Sequence, residues 1–195
     1  LAYSKQIKDA ASKASNQATY PTGNSLADQL KIVARLIGGG LQTRIYSVSL
    51  GGFDTHAAQV LSGDTSKGNH AILLQKLSEA ITAFLDDIRQ LGADDKVLAM
   101  TYSEFGRRVA SNASAGTDHG TAAPMFLFGK YVKPGIVGAN PSMTDLDRGN
   151  LRMQYDFRQI YTSVLAQWFG AKKDDVATIM LKEFQKDYEA PGFRK

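Results

Sequence analysis

The feature that most constrains the fold is a long amphipathic segment, residues 68–90, that lies between two short apolar runs. Its apolar side chains recur every three or four residues and predict one continuous helix face: Leu74, Leu77, Ile81, Phe84, Ile88 and Leu91. Gly92 follows at the position where helices commonly end. The runs at residues 44–50 and 96–101 are typical of buried strands. Strand, long helix and strand in this order predict a βαβ crossover.

The rest of the chain extends this pattern into one α/β domain. Periodicity predicts further helices and a third strand, at residues 25–37, 124–128, 157–168 and 174–188. The expected fold class is therefore α/β, with a mostly parallel sheet and helices on both faces. Residues 1–24 are polar and show no clear apolar stripe. We expect a polar, loosely packed N-terminal arm there, in preference to a helix that packs on a partner segment absent from this chain, and a single domain over residues 25–195.

Composition excludes several classes of protein. The chain has 195 residues, 43% hydrophobic and 22% charged, as expected of a folded globular protein. Its net charge of +4 is spread over interleaved cations and anions, which argues against a nucleic-acid partner. It has no Cys, so disulfides and thiolate metal sites are excluded. No apolar run approaches the ~20 residues that cross a bilayer. Because the chain starts at Leu1, without Met or a leader, we expect a piece of a longer protein.

Two short polar stretches carry the candidate chemistry. The sequence GGFDTH, residues 51–56, follows the first strand and contains Asp54 and His56. The sequence TDHG, residues 117–120, lies in the loop after the second strand and contains Asp118 and His119. Ligand sites of parallel α/β sheets lie beyond the carboxyl ends of their strands, so we expect the two pairs to meet there. Each stretch taken alone is equally typical of a simple turn.

Together, these four residues predict a site for a divalent metal ion. Carboxylate and neutral imidazole suit Zn²⁺, Mn²⁺ or a similar ion, and Ca²⁺ or Mg²⁺ stays open. Such an ion can polarise a phosphoryl or sulfuryl oxygen. The third histidine, His70, lies at the start of the long helix, away from the strand ends, and is expected at the surface.

Acidic and basic side chains near the same sheet edge extend the candidate site. Arg107 could bind a small anionic substrate and Glu104 could support the site, although a salt bridge between Glu104 and an arginine explains both as well. Asp156 and Arg158 open the helix at 157–168. Asp156 is expected to cap that helix, with a supporting role at the metal as the alternative, and Arg158 could face the substrate.

Four of these motifs, in this order, resemble one known family. GGFDTH, TYSEFGRRV, GTDHG and DFRQIY, within residues 26–170, are similar to the bacterial family called domain of unknown function 1501. The resemblance implies the alkaline phosphatase and sulfatase superfamily, with an α/β fold, divalent metals and export to the periplasm. Asp118 and His119 match the superfamily's Asp-His metal ligands, and Asp54 and His56 resemble a second contribution with closer spacing than usual.

The resemblance also implies residues that this chain does not supply. The superfamily takes its nucleophile and a further metal Asp from an N-terminal strand, and nothing before residue 26 resembles that strand. It also expects a later His ligand, but no His follows His119, and Asp156 is the one candidate substitute. The sequence therefore predicts a metal-dependent hydrolase of phosphate or sulfate esters with an incomplete site. The alternatives are a non-catalytic exported binding protein on a hydrolase scaffold and the C-terminal part of a longer enzyme.

Overall fold

The computed structural model describes residues 2–180 and 191–194, and the chain divides into two compact units. The first unit comprises Leu1–Val97 and Ser111–Asp118, and the second comprises Leu98–Ala110 and His119–Lys195. Each unit is described by itself below. No helix of the described residues is long and apolar enough to cross a membrane.

Helices dominate the first unit. They are α1 (Ala2–Lys13), α2 (Ser25–Gly38) and α3 (Asn69–Gln90), followed by a short 3₁₀ turn at Asp94–Lys96. Helix α3 confirms the long helix predicted from the apolar repeat. Its C-terminal half packs against α2 and forms the core of the unit: Leu26, Ala27, Leu30, Val33, Ala34, Ala80, Ala83, Phe84 and Ile88.

The N-terminal stretch is not a loosely packed arm. Residues 2–13 form α1, which packs against α2. The Arg35 guanidinium on α2 donates hydrogen bonds to the Ala11 carbonyl at 2.7 and 3.2 Å. At Gly39, a Cβ atom would lie 1.9 Å from the Ala10 carbonyl oxygen, so only glycine permits this approach of the two backbones. The absence of a strong apolar stripe misled the prediction, because close contact between small residues holds α1 in place.

The first predicted strand, residues 44–50, has no strand partner among the described residues. Alternate side chains Tyr46, Val48 and Leu50 pack against the core, while Ile45 is exposed, as the period-two pattern requires. A helix side chain takes the place of a neighbouring strand. The Gln29 amide on α2 donates to the Ser49 carbonyl at 2.8 Å and accepts from the Ser49 N–H at 3.0 Å.

The second unit contains short strand pairs and helices. Strand β1 (Ala99–Met100) pairs antiparallel with β4 (Leu127–Phe128), and β5 (Leu146–Asp147) pairs antiparallel with β6 (Asn150–Leu151). Helix α4 (Phe157–Ser163) continues into a π-helical turn at Val164–Trp168, and α5 (Lys173–Ile179) follows. The predicted last helix agrees with α5 up to residue 179, and its remainder from residue 181 lies outside the described residues.

The remaining strand pair links the two units along the chain. Strand β2 (Gly106–Ser111) pairs with β3 (Thr117–Gly120), and the turn between them belongs to the first unit. The residues expected in a loop beyond a parallel strand therefore form a hairpin, and TDHG is its second strand.

The predicted fold class is wrong. The described residues form five α-helices and short antiparallel strand pairs in three two-stranded sheets, and not a mostly parallel sheet covered on both faces. The apolar segments at 96–101 and 124–128 contribute strands of two residues each that pair with one another. In the segment at 44–50, the Gln29 side chain bonds the backbone N–H and carbonyl of Ser49. Apolar patterning thus identified non-helical chain in these segments, but they are partly buried at most, and the pattern does not specify what the chain pairs with.

Candidate metal centre

Two segments of the first unit, residues 54–59 and 112–117, are joined through their backbones. The hydrogen bonds run from Ala58 N to Ser114 O at 3.1 Å, from Gln59 N to Ala115 O at 2.9 Å and from Thr117 N to Thr55 O at 3.4 Å. Ala58 and Ala115 adopt positive φ angles of 49° and 56° at this junction. Left-handed backbone is unfavourable for residues with a Cβ atom, so the junction contains local strain.

The Gln59 side chain and Gly116 bring the two segments of this junction into close contact. The Gln59 Oε1 atom accepts hydrogen bonds from the Thr55 hydroxyl at 3.0 Å and the Thr117 hydroxyl at 2.8 Å. Gly116 lies so close to His56 that a Cβ atom would sit 2.3 Å from the His56 carbonyl carbon and oxygen. The turn can therefore approach the His56 backbone only because residue 116 has no side chain.

Asn112 fixes the turn and the histidine together. Its Oδ1 accepts the N–H groups of Ser114 at 2.9 Å and Gly116 at 3.1 Å. Its Nδ2 donates to the His56 carbonyl at 2.9 Å and to Asp118 Oδ1 at 3.4 Å. One amide thus links the turn, the backbone of His56 and the carboxylate of Asp118.

The His56 imidazole lies between two carboxylates. Its Nε2 is 3.1 Å from Asp54 Oδ1, and its Nδ1 is 3.4 Å from Asp118 Oδ1. The side chains of His56, Asp54 and Asp118 are 48%, 60% and 59% exposed, so solvent and ions reach all three. Three of the four predicted ligands therefore meet within one unit.

The Asp54–His56 pair has the donor types of a divalent-ion site. Ligand atoms about 2.0–2.2 Å from a tetrahedral Zn²⁺ lie roughly 3.3–3.6 Å from one another, and Asp54 Oδ1 and His56 Nε2 are 3.1 Å apart. Carboxylate with imidazole is a borderline-to-hard combination that suits Zn²⁺ or Mn²⁺.

His119, the fourth predicted ligand, belongs to the second unit and is described there. It lies on β3, and its ring stacks on Phe105 with centroids 3.9 Å apart and planes 7° apart. The Arg107 guanidinium carbon lies 5.0 Å from the centre of the same Phe105 ring, within the range of a cation–π contact. Glu104 is exposed.

Asp156 caps α4, as the sequence predicts. Its side chain accepts the Arg158 N–H at 2.9 Å, and the Gln159 side chain accepts the Asp156 N–H at 2.8 Å, which completes a capping box. The Arg158 guanidinium binds the same carboxylate at 2.5 and 2.7 Å. These bonds from Arg158 lower the pKa of Asp156. Arg158 is thus engaged by its own helix cap.

His70 is not the surface residue that the sequence predicts. It is half-buried, and its ring meets Phe53 edge-on with centroids 5.9 Å apart. Its backbone N–H donates to the Gln59 carbonyl at 3.2 Å. His70 therefore packs behind the segment that carries Asp54 and His56.

Sequence reasoning did not identify the groups that assemble the site: Gln59, Asn112 and Gly116. Asn112 and Gly116 do carry a local signal, since Asn and Gly four residues apart are typical of turn chemistry. That signal predicts the turn. It does not predict that the turn docks on His56, which lies 56 residues earlier.

Comparison with models of known protein families identifies the family to which the chain belongs. Residues 4–178 match the model of the family described as "Protein of unknown function (DUF1501)", and the chain belongs to that family. Searches of curated proteins and of solved structures found no match. The family description names no activity, so function has to be argued from the side chains.

Proposed function

We propose that this protein binds a divalent metal ion at Asp54 and His56, with Asp118 beside them, and hydrolyses phosphate or sulfate esters. The observation that carries the proposal is the His56 imidazole held between two exposed carboxylates on a strained, hydrogen-bonded junction. An exposed acidic cluster alone would be weak support, but here hydrogen bonds donated by Asn112 and accepted by Gln59 hold the segments that carry the ligands. Rigid support of this kind is what a metal site needs.

The ester class comes from the sequence resemblance to the phosphatase and sulfatase superfamily. A bound divalent ion supplies Lewis acidity toward a phosphoryl or sulfuryl oxygen. The chain's own groups hold the ligands in place, and Arg107 is the predicted anion-binding residue. We also propose, from the same resemblance, that the protein works after export.

A second candidate is metal binding without catalysis. The observation that favours it concerns the two threonines beside the ligands. Thr55 and Thr117 both donate their hydroxyl hydrogen bonds to Gln59 Oε1, an amide oxygen and not a general base, so these bonds support the junction. The helix cap engages the second predicted anion-binding group, Arg158. A binding protein on this scaffold needs only the Asp54–His56 pair and its supports.

Metal content tests the part that both candidates share. We expect the wild-type protein, loaded with Zn²⁺ or Mn²⁺ and dialysed, to retain metal that Asp54→Ala and His56→Ala lose. Asp86→Ala is the matched control, because Asp86 is an exposed carboxylate paired with Arg89 on α3. His119→Ala tests the remaining predicted ligand. Equal metal content in wild type, Asp54→Ala and His56→Ala would refute the site.

Turnover separates the two candidates. Aryl phosphate and aryl sulfate esters are supplied with added Zn²⁺, Mn²⁺, Ca²⁺ or Mg²⁺. Hydrolysis that disappears in His56→Ala and persists in Asp86→Ala supports the hydrolase, and an increased KM in Arg107→Lys supports anion binding by Arg107. Metal retention without turnover of any ester supports the non-catalytic protein.

A further inference from the structure

The two carboxylates beside His56 are not equivalent. Asp54 Oδ1 lies 3.1 Å from Nε2, and Asp118 Oδ1 lies 3.4 Å from Nδ1. The nitrogens of an imidazole point in diverging directions, and one ring offers only one of them to a given ion. The carboxylate on the ligating side can share the ion, and the other carboxylate can accept a hydrogen bond from the second ring nitrogen.

Asn112 holds the carboxylate that faces Nδ1 of the His56 ring. Its Nδ2–H group points at Asp118 Oδ1, the same oxygen that faces His56 Nδ1. This contact holds the Asp118 oxygen on the Nδ1 side of the ring, and a carboxylate oxygen has lone pairs for a second donor beside Asn112. Asn112 also donates to the His56 carbonyl and accepts two N–H groups of its own turn, so its amide cannot rotate without breaking them.

We infer that Asp118 is a positioning residue which accepts a hydrogen bond from His56 Nδ1, that Nε2 and Asp54 face the metal, and that Asn112 holds Asp118 in place. The inference rests on the proposed function and changes the role of one predicted ligand. Metal-binding histidines commonly donate their second ring N–H to a carboxylate, which fixes the ring orientation and raises the basicity of the ligating nitrogen. A carboxylate at each ring nitrogen, with the one at Nδ1 contacted by Asn112, matches that arrangement.

Cobalt titration distinguishes a ligand from a positioning residue. Co²⁺ replaces the metal, and its visible spectrum reports the ligand set while the titration gives the dissociation constant. We expect Asp118→Ala to weaken Co²⁺ binding by about 10–100-fold and to leave the spectrum of the saturated protein unchanged. Asp118→Asn keeps an acceptor oxygen for Nδ1–H and should lose less affinity. Asp54→Ala should change the spectrum or abolish binding.

A double-mutant cycle tests the role of Asn112. Asn112→Ala should weaken Co²⁺ binding in the wild-type background and have a smaller effect in Asp118→Ala, where the part that acts through that carboxylate is already lost. Ser111→Ala, an exposed change on the neighbouring residue, is the control. Asn112→Ser, which retains a short polar side chain, replaces Asn112→Ala if the latter does not fold.

The Co²⁺ titrations distinguish failure of this inference from failure of the proposed function. If wild type binds no Co²⁺, Zn²⁺ or Mn²⁺, the proposed function fails and the inference with it. If wild type binds metal and Asp118→Ala changes the Co²⁺ spectrum as Asp54→Ala does, Asp118 is a ligand and only the inference is overturned. A full, undiminished effect of Asn112→Ala in the Asp118→Ala background overturns the role of Asn112.

Discussion

The phenolic hydroxyl of Tyr20 donates a hydrogen bond to Oδ2 of the fully buried Asp87, at 2.9 Å. The same carboxylate accepts the Asn16 side-chain amide at 2.6 Å and the backbone N–H of Gln17 at 2.6 Å. Burial, together with this bond to Asp87, raises the pKa of Tyr20. One carboxylate of α3 thus anchors the segment that connects α1 to α2.

We expect Asp87→Asn to lower the free energy of unfolding by about 1–3 kcal/mol, since an amide NH₂ group would replace one acceptor oxygen and leave a buried donor unpaired. Urea denaturation measures the change. Asp86→Asn is the control, because the neighbouring carboxylate is exposed and its pair with Arg89 should contribute little. A loss in Asp86→Asn as large as in Asp87→Asn would contradict the assignment of Asp87 as the anchor.

The Asp156–Arg158 pair predicts a pH dependence with a definite sign. Bonds from Arg158 lower the pKa of Asp156 in the folded protein. The carboxylate therefore contributes stability that is present above its unfolded pKa, about 3.9, and is lost as the pH falls through the lower folded value. Asp156→Asn keeps a good N-cap and removes the charge. We expect it to reduce stability at neutral pH and to flatten the loss of stability below about pH 4.

Thermal unfolding across this pH range measures the Asp156 effect. Asp145→Asn is the matched control, because Asp145 forms an exposed pair with Arg152. A pH profile of Asp156→Asn that is parallel to wild type would show that the pair does not contribute in this way.

Helix α3 could be predicted because an apolar repeat over six turns depends only on residues close in sequence. The arrangement of the strands could not be predicted in the same way. The extended segment at 44–50 has the alternation of a strand, and the Gln29 side chain, 20 residues away, satisfies its backbone at Ser49. Nothing in a local pattern distinguishes a strand partner from a helix side chain as the source of a hydrogen bond.

The meeting of Asp54, His56 and Asp118 was predicted, but for the wrong reason. The prediction placed them at the shared edge of parallel strands. In the structure, the hairpin turn at 112–117 docks on residues 54–59 through backbone hydrogen bonds and brings the residues together. Residue type identified the candidates. Their assembly depends on long-range contacts that sequence periodicity does not contain.

Replacing Gln59 should have a local effect on the junction between residues 54–59 and 112–117. We expect Gln59→Leu to destabilise it, because the Thr55 and Thr117 hydroxyls both lose their shared acceptor in a partly buried place. Gln59→Glu retains an acceptor oxygen and should destabilise the junction less than Gln59→Leu. Amide hydrogen exchange at Ala58 and Gln59, whose N–H groups cross the junction, is the measurement.

The control for Gln59 lies on α3. Gln75→Leu removes an exposed amide that bonds only Glu79, one turn away, and should leave exchange at residues 58 and 59 unchanged. Equal exchange in Gln59→Leu and wild type would mean that the backbone bonds alone hold the two segments together.

The close packing of Gly116 against His56 should affect metal binding directly. In Gly116→Ala, the new methyl group would sit 2.3 Å from the His56 carbonyl carbon and oxygen, so the turn must move away from His56. That movement separates the Asp118 carboxylate from His56 Nδ1 and breaks the Asn112 bond to the His56 carbonyl. We expect weaker metal binding and a lower midpoint of thermal unfolding. Gly51→Ala is the matched control, because a Cβ atom at Gly51 meets no atom within 4 Å and its φ is not in the left-handed region. Metal affinity equal to wild type in Gly116→Ala would show that metal binding does not need this close approach.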